Sequence, residues 1–228
     1  MISQEKLAKL TNTAELAKKV CAIVNTLAVG EAWVAGGIVR DLWAAQTQGV
    51  DLEGSGDIDV LLINCPNDDL NQLGAFISAA LDIKGIKAYC SRVDYSYEAT
   101  EDYPDADDRL YGVMQFSIYS SGAADASTTE MDILVYEDRF ETLEDVMDTF
   151  NCNINKFWFD EEGNGNTTFS PEQPFRYREG DREKNEERYE KCVMRYNMVA
   201  RAAHPYQRLD AEPELGMASE QVDAQLPC

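Results

Sequence analysis

The chain has 228 residues, 44% of them hydrophobic, enough for one good core with a helical appendage. With 42 acidic against 20 basic side chains its formal charge is −22. That excludes a diffuse electrostatic grip on nucleic acid, so any polyanion must find a local basic patch.

No apolar run approaches the roughly 20 residues of a membrane span. The opening MISQEKLAKLTN also lacks the apolar core of a signal peptide, so a soluble, cytoplasmic protein with no membrane partner is expected. The six cysteines (Cys21, Cys65, Cys90, Cys152, Cys192, Cys228) include no C-x-x-C pair, and His204 is the single histidine. Neither a structural zinc nor a disulfide framework is expected; the thiols read as small buried hydrophobes or idle thiols.

In chain order, Leu7, Leu10, Leu16, Val20, Ile23, Val24 and Leu27 recur at helical spacing, which predicts an amphipathic helix or helix pair over 2–28. AWVAGG reads as a short buried strand ending in two glycines, and IVRDLWAAQTQ resumes a helical pattern. After the turn-rich GVDLEGSG, DIDVLLIN reads as a strand with Asp57 and Asp59 at its beginning. DDLNQLGAFISAALD predicts a helix capped by Asp68 or Asn67, and IKAYCSRVDYS and LYGVMQFSIYS predict strands around the acidic loop EATEDYPDADDR. TEMDILVYE is a further strand, ETLEDVMDTF a short helix, and NINKFWFDEEGNGNTTFS a hairpin turning at Gly163–Asn166. DREKNEERYEKCVMRYNMVARAAH predicts one charged helix with an apolar seam, followed by an irregular tail.

Chemistry concentrates in GGIVRD, at Gly36 to Asp41, followed after a loop by the D-x-D of Asp57 and Asp59. Two glycines between a strand and a helix let the backbone approach a polyanion, and the helix N-terminus adds N–H groups and partial positive charge, so Gly36 and Gly37 read as a phosphate cradle. Strand alternation sends Asp57 and Asp59 to one side, a carboxylate pair suited to a magnesium ion shared with a triphosphate. In two-metal phosphoryl transfer one ion activates the attacking hydroxyl and the other steadies the leaving pyrophosphate. Asp132 is the candidate third acid, on a strand beside Ile133 and Val135, with Glu130 in reserve.

G-G-x-V-R-D, a spacer and D-I-D-V resemble the signature of class II CCA-adding enzymes and bacterial poly(A) polymerases, in the nucleotidyltransferase superfamily of DNA polymerase β. The resemblance covers about Glu31 to Ser170. It implies an α/β nucleotidyltransferase head over 1–175, a short mixed or antiparallel sheet backed by helices, with a C-terminal helical segment at 176–205 and an irregular tail at 206–228. It implies that Gly36 and Gly37 touch a triphosphate, that Arg40 and Asp41 brace the site, and that Asn155 lines the nucleotide pocket. Asp57 and Asp59 would bind Mg2+ or Mn2+, joined by Asp132, which helps deprotonate or orient the attacking hydroxyl.

The family's R-R-D-F-T-I-N-A-like stretch is echoed by TFNCNINKFWF, with Thr149, Phe150 and Asn151 in place of the arginines and the aspartate. The E-D-x-x-R-like motif of its helical neck has no counterpart. The helix at 181–204 reads as an amphipathic helix packing on the head, and its Arg188, Lys191, Arg195 and Arg201 are among the few cations available to an RNA backbone. The acceptor implied by the resemblance is an RNA, with a tRNA 3′ end foremost. A protein or small molecule is the alternative, and a catalytically silent nucleotide-binding or protein-interaction module a third.

Overall fold

The computed structural model describes residues 2–54, 57–66, 69–95, 109–119, 128–136, 140–178 and 181–203. The acidic loop up to 108, the cap candidates Asn67 and Asp68, His204 and the tail fall outside these residues. The opening pattern forms a single helix, α1 (Gln4–Asn25), rather than a pair. Its buried residues Leu10, Ala14, Ala17, Val20, Cys21 and Val24 repeat at three- and four-residue spacing, and Ser3 Oγ caps the start by accepting from Lys6 N–H.

β1 (Glu31–Ala35), α2 (Gly37–Gln48) and β2 (Ile58–Ile63) follow, as the glycine turn and the β-branched run predict. α3 (Leu70–Ile83) is capped by Asp69, whose Oδ1 accepts from Gln72 N–H at 3.0 Å, one residue later than expected. Then come β3 (Lys87–Tyr95), β4 (Leu110–Tyr119), β5 (Thr128–Tyr136) and the short α4 (Leu143–Met147). A 3-10 turn (Asn153–Asn155) leads into the hairpin β6 (Phe157–Phe159) and β7 (Gly165–Thr167).

The charged C-terminal pattern is two helices, α5 (Asp181–Lys184) and α6 (Glu186–Ala203), because Asn185 interrupts the first and caps the second through Arg188 N–H at 3.0 Å. Among the described residues, no helix is long and apolar enough to cross a membrane.

The strands form one mixed seven-stranded sheet, ordered β3-β4-β5-β2-β1-β6-β7, more extensive than the short sheet expected. Five of its six neighbouring pairs are antiparallel; β2 and β5 run parallel. Parallel pairing places the beginnings of β2 and β5 at the same end, with Asp59 level with Asp132.

The pleat divides the apolar residues between two layers. Ile58, Val60 and Leu62 of β2 and Met131, Ile133 and Val135 of β5 join α1, α2, α3 and α6 in the main core. Leu61, Ile63, Val113 and Tyr136 face α4 in a smaller one. Being covered on both sides, β2 reads as a nearly continuous apolar run. Asp57 and Asp59 belong to the same alternate set as Leu61 and Ile63, and Asp132 to that of Leu134 and Tyr136. All three acids therefore stand on the smaller core's face of the sheet. Cys192, Tyr196, Val199 and Ala200 of α6 are part of the main core.

Phe157 fixes the hairpin to α2: fully buried, its ring centroid lies 5.2 Å from that of Trp43 and 5.9 Å from that of Phe169. Removing a buried ring loses its transfer energy and leaves a cavity, so Phe157→Ala is expected to cost about 3–5 kcal/mol, read as a lowered denaturation midpoint. A loss under about 1 kcal/mol would show the hairpin to be peripheral.

Candidate active site

The turn from β1 to α2 is shaped around Asp59. Ala35, the last residue of β1, pairs with Asp59 across the antiparallel ladder. Gly36 then takes φ +72°, and a Cβ there would stand 2.7 Å from Asp59 Oδ2. Its N–H donates to Phe157 O at 2.8 Å, and Gly37 N–H donates to Asp59 Oδ2 at 3.3 Å. Both glycine amides are thus engaged within the protein. Of the two, only Gly36 is needed as glycine, since a Cβ on Gly37 would make ordinary contacts at 3.7 and 3.8 Å.

One turn into α2, Arg40 and Asp41 form a buried ion pair, each side chain 4% exposed, with Nη2 2.7 Å and Nε 2.8 Å from Asp41 Oδ1. Arg40 Nη1 donates to Asn155 Oδ1 at 2.6 Å, and Asn155 Nδ2 donates in turn to Asn151 Oδ1 at 3.3 Å and Cys192 Sγ at 3.7 Å. Asn151 Nδ2 passes the chain on to Tyr177 Oη at 3.0 Å. A buried ion pair persists only where its remaining donors and acceptors are met, and this network meets them. The segment at 149–151 supplies it: Asn151 lies within the network, Thr149 bonds to Tyr136 Oη, and Phe150 reaches the cleft.

Gly54 closes the network from the loop side. A Cβ there would fall 1.4 Å from Asp41 Oδ2, which no packing tolerates. Sequence reasoning gave this glycine only a turn role, and no local signal marks it, because its neighbour is thirteen positions away.

One cleft of about 290 Å3 gathers Gly36, Gly37, Arg40, Asp41, Asp57, Asp59, Asp132 and Asn155, which are all the residues expected at the site. Asp57 is exposed, while Asp59 and Asp132 are half-buried. Glu130 lies away from the cleft, exposed, with its carboxylate accepting from Ser117 Oγ. The opposite wall comes from α6: Arg188, Lys191 and Arg195, with Cys192 between them. Their spacing of three and four residues is the sequence signal that they share a helix face. Arg201, grouped with them in the sequence, is exposed and outside the cleft lining.

Charge in the cleft is opposed across its width. Burial raises the Asp59 carboxyl above the ordinary aspartate range; the Gly37 N–H, Arg188 and Arg40 pull it down, and Asp57 adds to the rise. Burial also lowers the Arg195 guanidinium, with Arg40 adding like-charge repulsion and Asp41 opposing it. Arg195 Nε is buried with no hydrogen-bond acceptor among the described residues. Lys191 Nζ pairs with Glu187 at 2.6 Å.

Among the described residues, no three His, Cys, Asp or Glu side chains are placed to hold a metal ion by themselves. Magnesium does not require that, since it commonly binds one or two carboxylates and takes its other oxygens from phosphates and water. The oxygen-only set of Asp57, Asp59 and Asp132 fits such an ion in donor chemistry. The chain matches no known protein-family model, and no curated protein sequence matches it.

Gly36→Ala is expected to cost about 1–2 kcal/mol from its left-handed backbone alone, and more from the contact with Asp59. Gly37→Ala should be nearly neutral, and equal losses at the two positions would contradict this geometry.

Asp59 makes a second, opposite prediction. Its folded-state pKa lies above the unfolded one, so its contribution to stability is full in acid and is lost as pH rises through the folded value. Asp59→Asn should therefore raise the melting temperature at neutral pH, with the gain shrinking as pH falls into the carboxylate range. A lower melting temperature at neutral pH would show the carboxylate to be a net structural asset.

Proposed function

We propose that the chain is a divalent-metal-dependent nucleotidyltransferase, moving a nucleoside monophosphate from a nucleoside triphosphate to a hydroxyl acceptor and releasing pyrophosphate. One observation carries the reading: three carboxylates, Asp57 and Asp59 at the start of β2 and Asp132 in the middle of β5, share a cleft with three cations of α6. Carboxylates alone would repel a triphosphate, and cations alone would bind any anion. Together they suit a metal-bound polyphosphate. The likeness of GGIVRD and DID to CCA-adding enzymes and poly(A) polymerases points the same way.

In this reading Asp57 and Asp59 hold Mg2+ or Mn2+, with Asp132 beside them. When bound, the cation supplies charge neutralisation and polarisation of phosphate oxygens. Arg188, Lys191 and Arg195 hold the phosphate chain, and the buried Nε–H of Arg195 gains an acceptor when a phosphate oxygen enters. Arg40 and Asp41 touch the cleft wall but act mainly by fixing Asn155 and the first turn of α2. Asp132 accepts or orients the proton of the acceptor hydroxyl as its oxygen attacks the α-phosphorus; the α–β phosphoanhydride bond breaks and pyrophosphate leaves.

An RNA 3′ end remains the acceptor that the sequence resemblance implies. A small-molecule or protein hydroxyl is favoured by a separate observation: of the four α6 cations open to an RNA backbone, three are turned into the cleft. That leaves Arg201 alone outside it on a chain of net charge −22.

The test is incubation with each labelled triphosphate, Mg2+ and separate pools of RNA, protein and small metabolites, followed by asking which pool takes label. Asp57→Ala and Asp59→Ala should each abolish transfer with the fold intact. Asp132→Asn should lower the rate more than it weakens triphosphate binding, because its task arises in the transition state. Near-full transfer by either Ala variant would overturn the metal assignment; triphosphate binding without label in any pool would leave a silent nucleotide-binding module.

A further inference from the structure

A second cavity, of about 430 Å3, opens between the segments 144–156 and 173–178, and the nucleotidyl reading gives it no task. Three cations line it, Lys156, Arg176 and Arg178, against two carboxylates, Glu144 and Asp148. On a chain of net charge −22, a local excess of positive charge marks the cavity for an anion. Phe150 lines both this cavity and the cleft of the three acids, so the two abut.

The two arginines are mounted on a braced backbone. An isolated antiparallel bridge joins Cys152 to Tyr177. Around it, Arg178 N–H donates to Asn151 O at 2.7 Å, Asn153 N–H to Arg176 O at 3.2 Å and Arg176 N–H to Asn153 Oδ1 at 3.2 Å. Alternate residues of an extended ladder share a side. Arg176 and Arg178 therefore stand on one side, while Tyr177 turns to α6 with its ring centroid 5.1 Å from that of Tyr189. Arg178 Nη1 donates to Thr149 O at 3.1 Å, which holds its guanidinium in place, and Lys156 is offset by its ion pair with Asp148. Arg176 is exposed, and among the described residues its guanidinium makes no hydrogen bond or ion pair.

We propose that this cavity seats the anionic end of the acceptor: it takes a phosphate monoester, whose hydroxyl extends past Phe150 to Asp132. Guanidiniums meet phosphate oxygens in paired, charge-assisted hydrogen bonds, and several cations around one point favour a dianionic monoester over the singly charged diester of a nucleic-acid backbone. The triphosphate keeps its own cations, Arg188, Lys191 and Arg195, on the α6 wall of the cleft. Phe150 packs against the smaller core with Leu134, two residues beyond Asp132 on the same face, so an acceptor entering over its ring arrives on the Asp132 side. The acceptor oxygen then bonds to the α-phosphorus, its proton passes to Asp132 and pyrophosphate leaves. The product is a nucleoside monophosphate diester that still carries the acceptor's own phosphate. The acceptor role rests on the proposed function; phosphate binding in the cavity does not.

Titration of glycerol 3-phosphate into the isotope-labelled full chain, without nucleotide or Mg2+, tests the cavity through backbone amide shifts. Saturable shifts are expected at 149–153 and 176–178, with affinity about tenfold weaker in Arg176→Gln and partly kept in Arg176→Lys. No saturable shift, shifts confined to 188–195 and the Gly36 turn, or unchanged affinity in Arg176→Gln would each overturn the site. Equal affinity for dimethyl phosphate would overturn it too, in favour of a nucleic-acid backbone. The acceptor role is tested by treating the small-metabolite pool with alkaline phosphatase, removing that enzyme, then adding the full chain, labelled triphosphate and Mg2+. The labelled product should disappear after this treatment, and Arg176→Gln should lower transfer from the untreated pool while triphosphate affinity holds. Label that survives the phosphatase would overturn the acceptor role. Phosphate bound in the cavity with no label in any pool would overturn that role through failure of the transferase reading, a result distinct from loss of the site.

Discussion

Carboxylates brought to one end of a sheet repel each other, and the organisation of this cleft follows from holding them there. Asp59 and Asp132 are level on parallel strands, with Asp57 at the mouth. At Asp59 a backbone N–H from Gly37 and the fields of Arg188 and Arg40 offset part of that repulsion. Asp59 and Asp132 stand on strands with apolar cores on both faces, so the hydrophobic packing helps to hold that geometry. Burial at Asp59 disfavours the charged carboxylate, a local cost of the kind found where function and folding compete.

The ion pair of Arg40 and Asp41 occupies the next layer. Its location under the first turn of α2, with Asn155 accepting from Arg40 and Gly54 leaving room for Asp41, converts a buried liability into a fixed wall. Apart from Asp94, the buried polar residues among those described are this pair and four from 149–155. The segment at 149–155 is therefore polar inside, and Asn151 and Asn155 spend that polarity on bracing. The cations facing the carboxylates come instead from α6, a helix remote in sequence.

Much of this was legible before the fold was seen. GGIVRD and DID are local patterns: a positive φ beside a helix start demands glycine, and a two-residue period sends alternate acids to one side. Asp132 was legible as an acid on an apolar strand, whereas the position of Glu130 outside the cleft, two residues earlier on the same face, depends on where the cleft ends. The return of α6 over the cleft and the approach of Gly54 to Asp41 are contacts between distant segments, and no periodicity encodes them. Asn185 shows a smaller limit: a polar residue within a charged helical pattern looks unremarkable until its side chain is seen to cap the following helix.

A cleft of opposed carboxylates and guanidiniums should take up a triphosphate only together with a divalent cation. Calorimetric titration of a nucleoside triphosphate into the full chain at neutral pH, with and without Mg2+, measures this directly. The account predicts saturable binding that strengthens markedly when Mg2+ is present. Equal affinity with and without the cation, or no binding in either case, would contradict it.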